Sequence, residues 1–303
     1  MRYSAIIPTN RAPKDIAPTL DSLGRQTKLP DRIFILYDKS TSHDGFQEYS
    51  QAIDHYTPKS LYKRIIIIWE HTADFKAWQW VSYVRNYGIL CVQTEYLLSV
   101  DDDNTFDADF IQSFFSSIRE IQKPSLLIPT EYHQGQIRSR GYRWFSYVLG
   151  IQLPCKKQWP LVPIQFAASN CLFGPTDLFQ EIQFDPQMKF VYEDFDMTRR
   201  VTKLGYGLYV TDTTISHNMQ PKTPLQETYI DTPFRAQQKA KNRVLFVRKN
   251  ARARQRMIYA LFGVHIHTCF LLLKLFWHPT PHKTKIGRII VRTTYATLFR
   301  PHL

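Results

Sequence analysis

Cysteine is scarce in this chain, and no two of its four thiols (Cys91, Cys155, Cys171, Cys269) share a C-x-x-C spacing. That excludes a zinc ribbon or a disulfide framework as the organising principle and points to a reducing compartment. The opening Met1–Pro8 has too few apolar residues for a signal peptide and reads as a core strand. No G-x-x-x-x-G-K-[ST] occurs, so a P-loop enzyme is excluded. Gly205-Tyr206-Gly207 lacks a third glycine and follows a helical segment, so it is not a dinucleotide fingerprint. The absence of G-x-S-x-G removes the usual serine hydrolase. The most unbalanced deficiency is acidic: no Asp or Glu lies beyond Asp231, whereas 15 Lys and Arg lie between Arg235 and Leu303. The whole net charge of +13 therefore belongs to the tail, and the preceding chain is close to neutral. An asymmetry of that kind calls for an anionic partner, either a lipid surface or a nucleic acid.

The tail also holds an apolar stretch, Met257–Trp277, interrupted by His265, His267 and Lys274. A membrane span needs roughly 20 apolar residues, so the stretch is borderline. Both flanks are basic, and a single span would place one of them outside, against the positive-inside tendency. The expectation is a helix lying in, or dipping into, the cytoplasmic interface. Interleaving with a long aliphatic run, with no groove-reading motif, argues against nucleic acid. His265 and His267, set in apolar sequence, read as a packing or interface pair.

The rest of the chain alternates β and α signals. Strands are expected at Tyr3–Pro8, Arg32–Asp38, Arg64–Trp69, Tyr96–Val100 and Ser125–Pro129. Helices are expected at Asp15–Gln26, Asp74–Val92 and Ala108–Gln122, with a weaker segment at Asp44–Tyr56. This alternation predicts an α/β fold with a mostly parallel sheet flanked by helices. Residues 131–163 break the rhythm, yield no elements, and read as a binding loop. The fourth strand runs directly into Asp101, Asp102, Asp103 and Asn104. Carboxylates at the carboxyl end of a buried strand sit where open sheets bind ligands. Clustered oxygen donors suit a divalent metal beside substrate phosphates. Glu193 and Asp194 open a second segment in which Met197, Val201 and Leu204 recur at helical spacing before Gly205. First-turn acids complement the helix dipole, and a helix start aimed at a cleft would also hold a general base rigidly.

These features, in this order, resemble glycosyltransferase family 2. The opening strand Ala5-Ile6-Ile7-Pro8-Thr9-Asn10-Arg11 is similar to that family's start, as is Thr19-Leu20-Asp21-Ser22-Leu23 with Gln26, Thr27 and Pro30. Further matches are Tyr37-Asp38-Lys39-Ser40 with Asp44, the Arg85-Asn86-Tyr87-Gly88 helix, the aspartate triplet as a D-x-D motif, and Tyr192-Glu193-Asp194 through Arg199-Arg200. The resemblance spans about residues 3–220. It implies a Rossmann-like glycosyltransferase A-type fold: a nucleotide-sugar-binding catalytic domain over 1–230, acceptor-side from about 131, and a basic helical membrane-associating extension over 231–303.

The resemblance also implies site roles. Pro8, Thr9, Arg11, Asp38, Arg85, Asp101 and Asp102 would bind the donor. Asp103, with His217, would hold Mn2+ or Mg2+ against the diphosphate. Asp194 would be the general base, supported by Glu193, for single-displacement inverting transfer. The Q-x-x-R-W motif of processive synthases is missing, which implies transfer of one sugar. Asn242–Asn250 with the following apolar helix resembles members that build lipopolysaccharide or capsule. A glycan or glycolipid acceptor, and a peripheral or monotopic place on the cytoplasmic face of a bacterial inner membrane through residues 235–303, follow from that. His71–Lys76, standing where the family has a glycine-rich approach, leaves the sugar and acceptor open. A nucleotidyltransferase, or a non-catalytic membrane or nucleic-acid binder, would share some of these features.

Overall fold

The structure is a computed structural model that describes residues 1–37, 43–68, 81–133, 135–146, 151–155, 160–168, 170–217 and 223–299. Its strands are β1 (Tyr3–Thr9), β2 (Ile33–Tyr37), β3 (Ile65–Ile68), β4 (Tyr96–Val100), β5 (Asn104–Phe106), β6 (Ser125–His133), β7 (Gln136–Ser139), β8 (Tyr142–Ser146), β9 (Ile151–Pro154), β10 (Leu161–Pro163), β11 (Cys171–Pro175) and β12 (Gly207–His217). Ten of them form one sheet whose main path is β10-β12-β6-β11-β4-β1-β2-β3, with β5 on β12 and β7 on β6. The β4-β1-β2-β3 half and the β6-β12 pair are parallel. β11 runs antiparallel between β4 and β6. β8 and β9 pair separately.

Period-2 alternation builds two cores, because successive side chains leave a strand on opposite faces. Tyr3, Ala5 and Ile7 of β1 join Ile33, Ile35, Leu98 and Val100 on one face. There they meet Ile16, Leu20 and Leu23 of the Pro13–Gly24 helix and the Phe110–Glu120 helix. Ile6, Leu36, Leu97 and Leu172 point the other way, onto Val84 and Ile89 of the Val81–Cys91 helix and onto Met197 and Val201. Strands apolar on both sides are what a helix-covered parallel sheet requires.

The strand and helix expectations hold, with shifted ends. β6 continues four residues past the expected Pro129, and the helix over 43–56 is complete. Expected positions within 38–42 and 69–80, Asp38 among them, lie outside the described residues. The stretch expected to be without elements carries β7 to β10. These are strands of three to five residues with little apolar alternation: β7 turns back on the neighbouring end of β6, β8 and β9 pair with each other, and only β10 is held by a strand distant in sequence, β12.

Backbone contacts divide the chain into two compact units. One comprises Met1–Tyr142, Pro154–Phe184 and Met197–Met219; the other comprises Arg143–Leu153, Asp185–Asp196 and Gln220–Leu303. The ten-stranded sheet belongs to the first. In the second, the helices Pro233–Asn250, Val264–Trp277 and Lys283–Leu298 pack through Ala236, Leu271, Leu275, Ile286 and Ile290, and through Val244, Val247, Tyr259 and Val264.

Candidate active site

The strand order fixes where the first unit can bind a ligand. From β1 the chain proceeds outward to β2 and β3, then returns to lay β4 on the other side of β1. The connections diverge at the carboxyl ends of β1 and β4, and such a switch point leaves a crevice. Ile6 pairs with Ser99 in the β1–β4 register. Continuing that register brings Thr9 level with Asp102, and the Thr9 hydroxyl donates to Asp102 Oδ2 at 2.6 Å.

Each aspartate of the triplet has a different setting. Arg85, buried in the Val81–Cys91 helix, donates from Nη2 to Asp101 Oδ1 at 2.6 Å, with its guanidinium carbon 5.3 Å from the Phe184 ring centre. The neighbouring Asn86 side chain brackets the Phe184 backbone, donating to its carbonyl at 2.8 Å and accepting from its N–H at 2.7 Å. Gly88 lets this helix lie close on the sheet, since a Cβ there would come within 2.5 Å of Leu36. The Arg-Asn-x-Gly sequence is therefore one ion pair, one backbone bracket and one close approach. Asp102 is buried, and desolvation pushes its carboxyl up to about 6, although Thr9 and Arg11 oppose the shift. Arg11 reaches Asp102 Oδ1 with Nε at 3.3 Å and Asp103 Oδ2 with Nη2 at 2.6 Å. Burial disfavours the Arg11 charge, but Asp102 and Asp103 outweigh it and raise its pKa. The triplet's backbone is also tied down. Thr19 donates to Asp102 O at 2.9 Å, and the Asp101 N–H and Asn104 Nδ2 both reach Asn170 O, at 2.8 and 2.9 Å.

Pro8, Thr9, Arg11, Arg85 and the three aspartates thus converge at one sheet edge. His217, expected a short way past a strand ending near Val210, is the last residue of β12, and its backbone pairs with Asn104, next to Asp103. Among the described residues, no group of three or more His, Cys, Asp and Glu side chains could hold a metal ion by itself. Magnesium does not require one, because it binds through one or two carboxylates plus substrate phosphates. The hard oxygen donors of Asp103 fit such a cation, and the guanidinium of Arg11 already places positive charge against them.

Glu193 and Asp194 lie in the second unit, in the first turn of the Glu193–Lys203 helix. Glu193 is buried and Asp194 half-exposed, with Asp194 Oδ1 accepting from the Phe195 N–H at 2.7 Å. Later residues of the helix are seated in the first unit: Thr198 exchanges hydrogen bonds with the Ala167 backbone, and Arg200 donates to the carbonyls of Ile182 and Gln183. Gly205, at φ 92°, stops the helix as expected.

Sequence reasoning missed what holds the helix start. Val191 and Tyr192 occupy the left-handed region at φ 65° and 73°. The Pro233–Asn250 helix grips this turn: Asn242 Nδ2 donates to the carbonyls of Phe190 and Val191 at 2.8 and 2.9 Å. Arg243 donates to the Tyr192 hydroxyl at 2.7 Å, Asn250 donates to Asp196 Oδ1 at 3.0 Å, and Lys249 pairs with Asp185. The available signal was polar residues, Asn242, Arg243 and Asn250, on a helix whose remaining residues include the apolar run Val244–Val247.

The chain belongs to glycosyl transferase family 2, whose model matches residues 4–181, and it is a glycosyltransferase with the glycosyltransferase A fold. Among solved structures, it is similar to residues 1–349 of S. aureus TarS in complex with UDP-GlcNAc, at 16% identity and TM-score 0.61, over 98% of this chain and 82% of that one. It is similar to a further crystal structure of S. aureus TarS residues 1–349 at 14% identity and TM-score 0.56, over 98% of this chain and 83% of that one. The corresponding values for the complex with UDP are 16% and 0.55, with the same coverage of 98% and 83%. At these identities the likeness speaks to the fold. No curated protein matches the chain.

Proposed function

We propose that the protein transfers one sugar from a nucleoside-diphosphate sugar to a hydroxyl of a lipid-linked or cell-surface glycan, with inversion. The observation that carries this reading is the aspartate triplet, held by Thr9, Arg11 and Arg85 at the β1–β4 switch point. Loss of a nucleoside diphosphate leaves charge on the departing oxygens. Asp103, with His217, is the candidate holder of a divalent metal there, and such an ion supplies Lewis-acid stabilisation of that charge. The chain's own cation for the same task is Arg11, whose side chain is 39% exposed and can turn from carboxylate to phosphate. Asp101, fixed by Arg85, faces the donor's sugar or ribose. Asp194, in the first turn of the Glu193–Lys203 helix, takes the proton of the acceptor hydroxyl. A single displacement needs one base and no nucleophilic carboxylate, so Asp194 alone suffices for it.

The S. aureus TarS complexes with UDP and UDP-GlcNAc make uridine donors the first to test. Calorimetry with UDP, GDP and dTDP, with and without Mn2+, on wild type and Asp103→Asn should give metal-dependent binding of one nucleotide that the variant loses. Failure to bind any nucleotide in either protein would remove this reading. Asp194→Asn should keep nucleotide affinity and lose transfer by about a hundredfold or more, in the range general bases contribute. Release of pyrophosphate in place of a nucleoside diphosphate would make the enzyme a nucleotidyltransferase.

A further inference from the structure

The Ala253–Trp277 segment is one continuous helix of 25 residues, long and apolar enough to cross a membrane by length and composition. Its two faces are differently used. Val264, Thr268, Leu271 and Leu275 recur every three or four residues and are buried, with Leu271 and Leu275 against Leu225, Ile230, Ala236, Ile286 and Ile290. Ile266, Phe270, Leu273, Phe276 and Trp277 fall on the opposite side and are exposed, Phe276 at 69% and Trp277 at 74%. His265 accounts for part of the boundary through a 2.6 Å contact with the Tyr295 hydroxyl, and burial keeps His267 neutral by holding its pKa well below the usual range.

We infer that this outer face is a docking surface for an anionic lipid bilayer and that the helix lies in the plane of the interface without spanning it. The buried stripe carries the argument against a span. A spanning helix would drag its packing partner into hydrocarbon, and that partner, Lys283–Leu298, exposes Lys285, Arg288 and Arg292. The charge pattern identifies the occupant. Arg252, Arg254 and Arg256 are exposed at one end of the apolar face, and the basic helix Lys283–Leu298 follows the other. No carboxylate occurs after Asp231. A second copy meeting this face with its own would set cation against cation, whereas lipid phosphates supply the missing counter-charge. The inference stands apart from the donor and acceptor assignments.

The test is sedimentation of the full chain with phosphatidylcholine vesicles with or without phosphatidylglycerol, comparing wild type with Phe270→Glu/Phe276→Glu/Trp277→Glu. These side chains are exposed, so circular dichroism and nucleotide affinity should match wild type; that separates a failure here from a failure of the enzymatic reading. Wild type should partition onto the anionic vesicles, be released by salt or alkaline carbonate, and lose about tenfold or more of its binding in the variant. Three results would overturn the inference: binding unchanged in the variant, retention through carbonate, or no vesicle binding together with self-association that the variant abolishes.

Discussion

Asp102 shows how three adjacent residues of one type come to do different work. Asp101 pairs with Arg85 and Asp103 with Arg11, while the buried Asp102 carboxylate accepts from the Thr9 hydroxyl and shares Arg11 at a longer 3.3 Å. Burial raises its pKa from 3.8 to about 6, so the folded state binds a proton more tightly than the unfolded chain does. Stability from this group is therefore greatest below about pH 4 and declines as pH rises through about 6, where the ionised form is buried. Asp102→Asn should raise stability at pH 8 by on the order of 2 kcal/mol and change little at pH 4, measurable as a pH-dependent shift in denaturant midpoint. The sequence could place three carboxylates at a strand end, because an apolar run followed by acids is a local pattern. It could not divide the labour among them, since that depends on Arg85, Thr9 and Arg11 arriving from distant segments. Asp38 and His217 rest on the family pattern; for His217 the backbone register to Asn104 is added.

At the scale of elements, the Pro233–Asn250 helix is a positioning device for the acids that precede it in sequence. Asn242 satisfies two carbonyls of a turn that leads directly into Glu193 and Asp194. Replacing it with alanine removes both hydrogen bonds, and the helix start loses its fixed direction. Asn242→Ala should lower kcat by about ten- to a hundredfold with little change in donor KM, because misplacement of the base affects the chemical step. A loss confined to thermal stability, with kcat preserved, would rule out the positioning role. The same helix illustrates a limit of reading by pattern. Asn242–Asn250 stood out in the sequence as a flank to the apolar tail, yet its partners lie some 50 residues upstream and leave no periodic trace. In residues 131–163 only β10 repeats that situation, gaining its hydrogen bonds from the distant β12; β7 turns back on the neighbouring end of β6, and both strands are too short to show an alternation that marks them.

Over the whole molecule, the sheet was legible because its central strands are apolar on both faces, a pattern local enough to read. Its aromatic packing was not. Phe173 stacks on Tyr96 and Phe114, at 5.7 and 5.1 Å between ring centres, and meets Phe115 edge-on at 5.1 Å. Phe173→Ala should cost about 3–5 kcal/mol, read from chemical denaturation, while a folded fraction should still bind nucleotide. The tail is equally part of a core. Deleting residues 251–303 would uncover Ala236, Val244 and Val247, so truncation would report on folding before it reported on membranes. The left-handed pair Val191 and Tyr192 bears on how such a protein changes under selection. A β-branched and an aromatic residue held at positive φ each cost on the order of 1 kcal/mol or more, which glycine would relieve. At Tyr192 the buried ring and its hydrogen bond from Arg243 outweigh that relief, so a population screened only for survival of heat would drift toward glycine at Val191 alone and slacken the turn that aims its acids. Only a screen that counts product would keep the valine where it is.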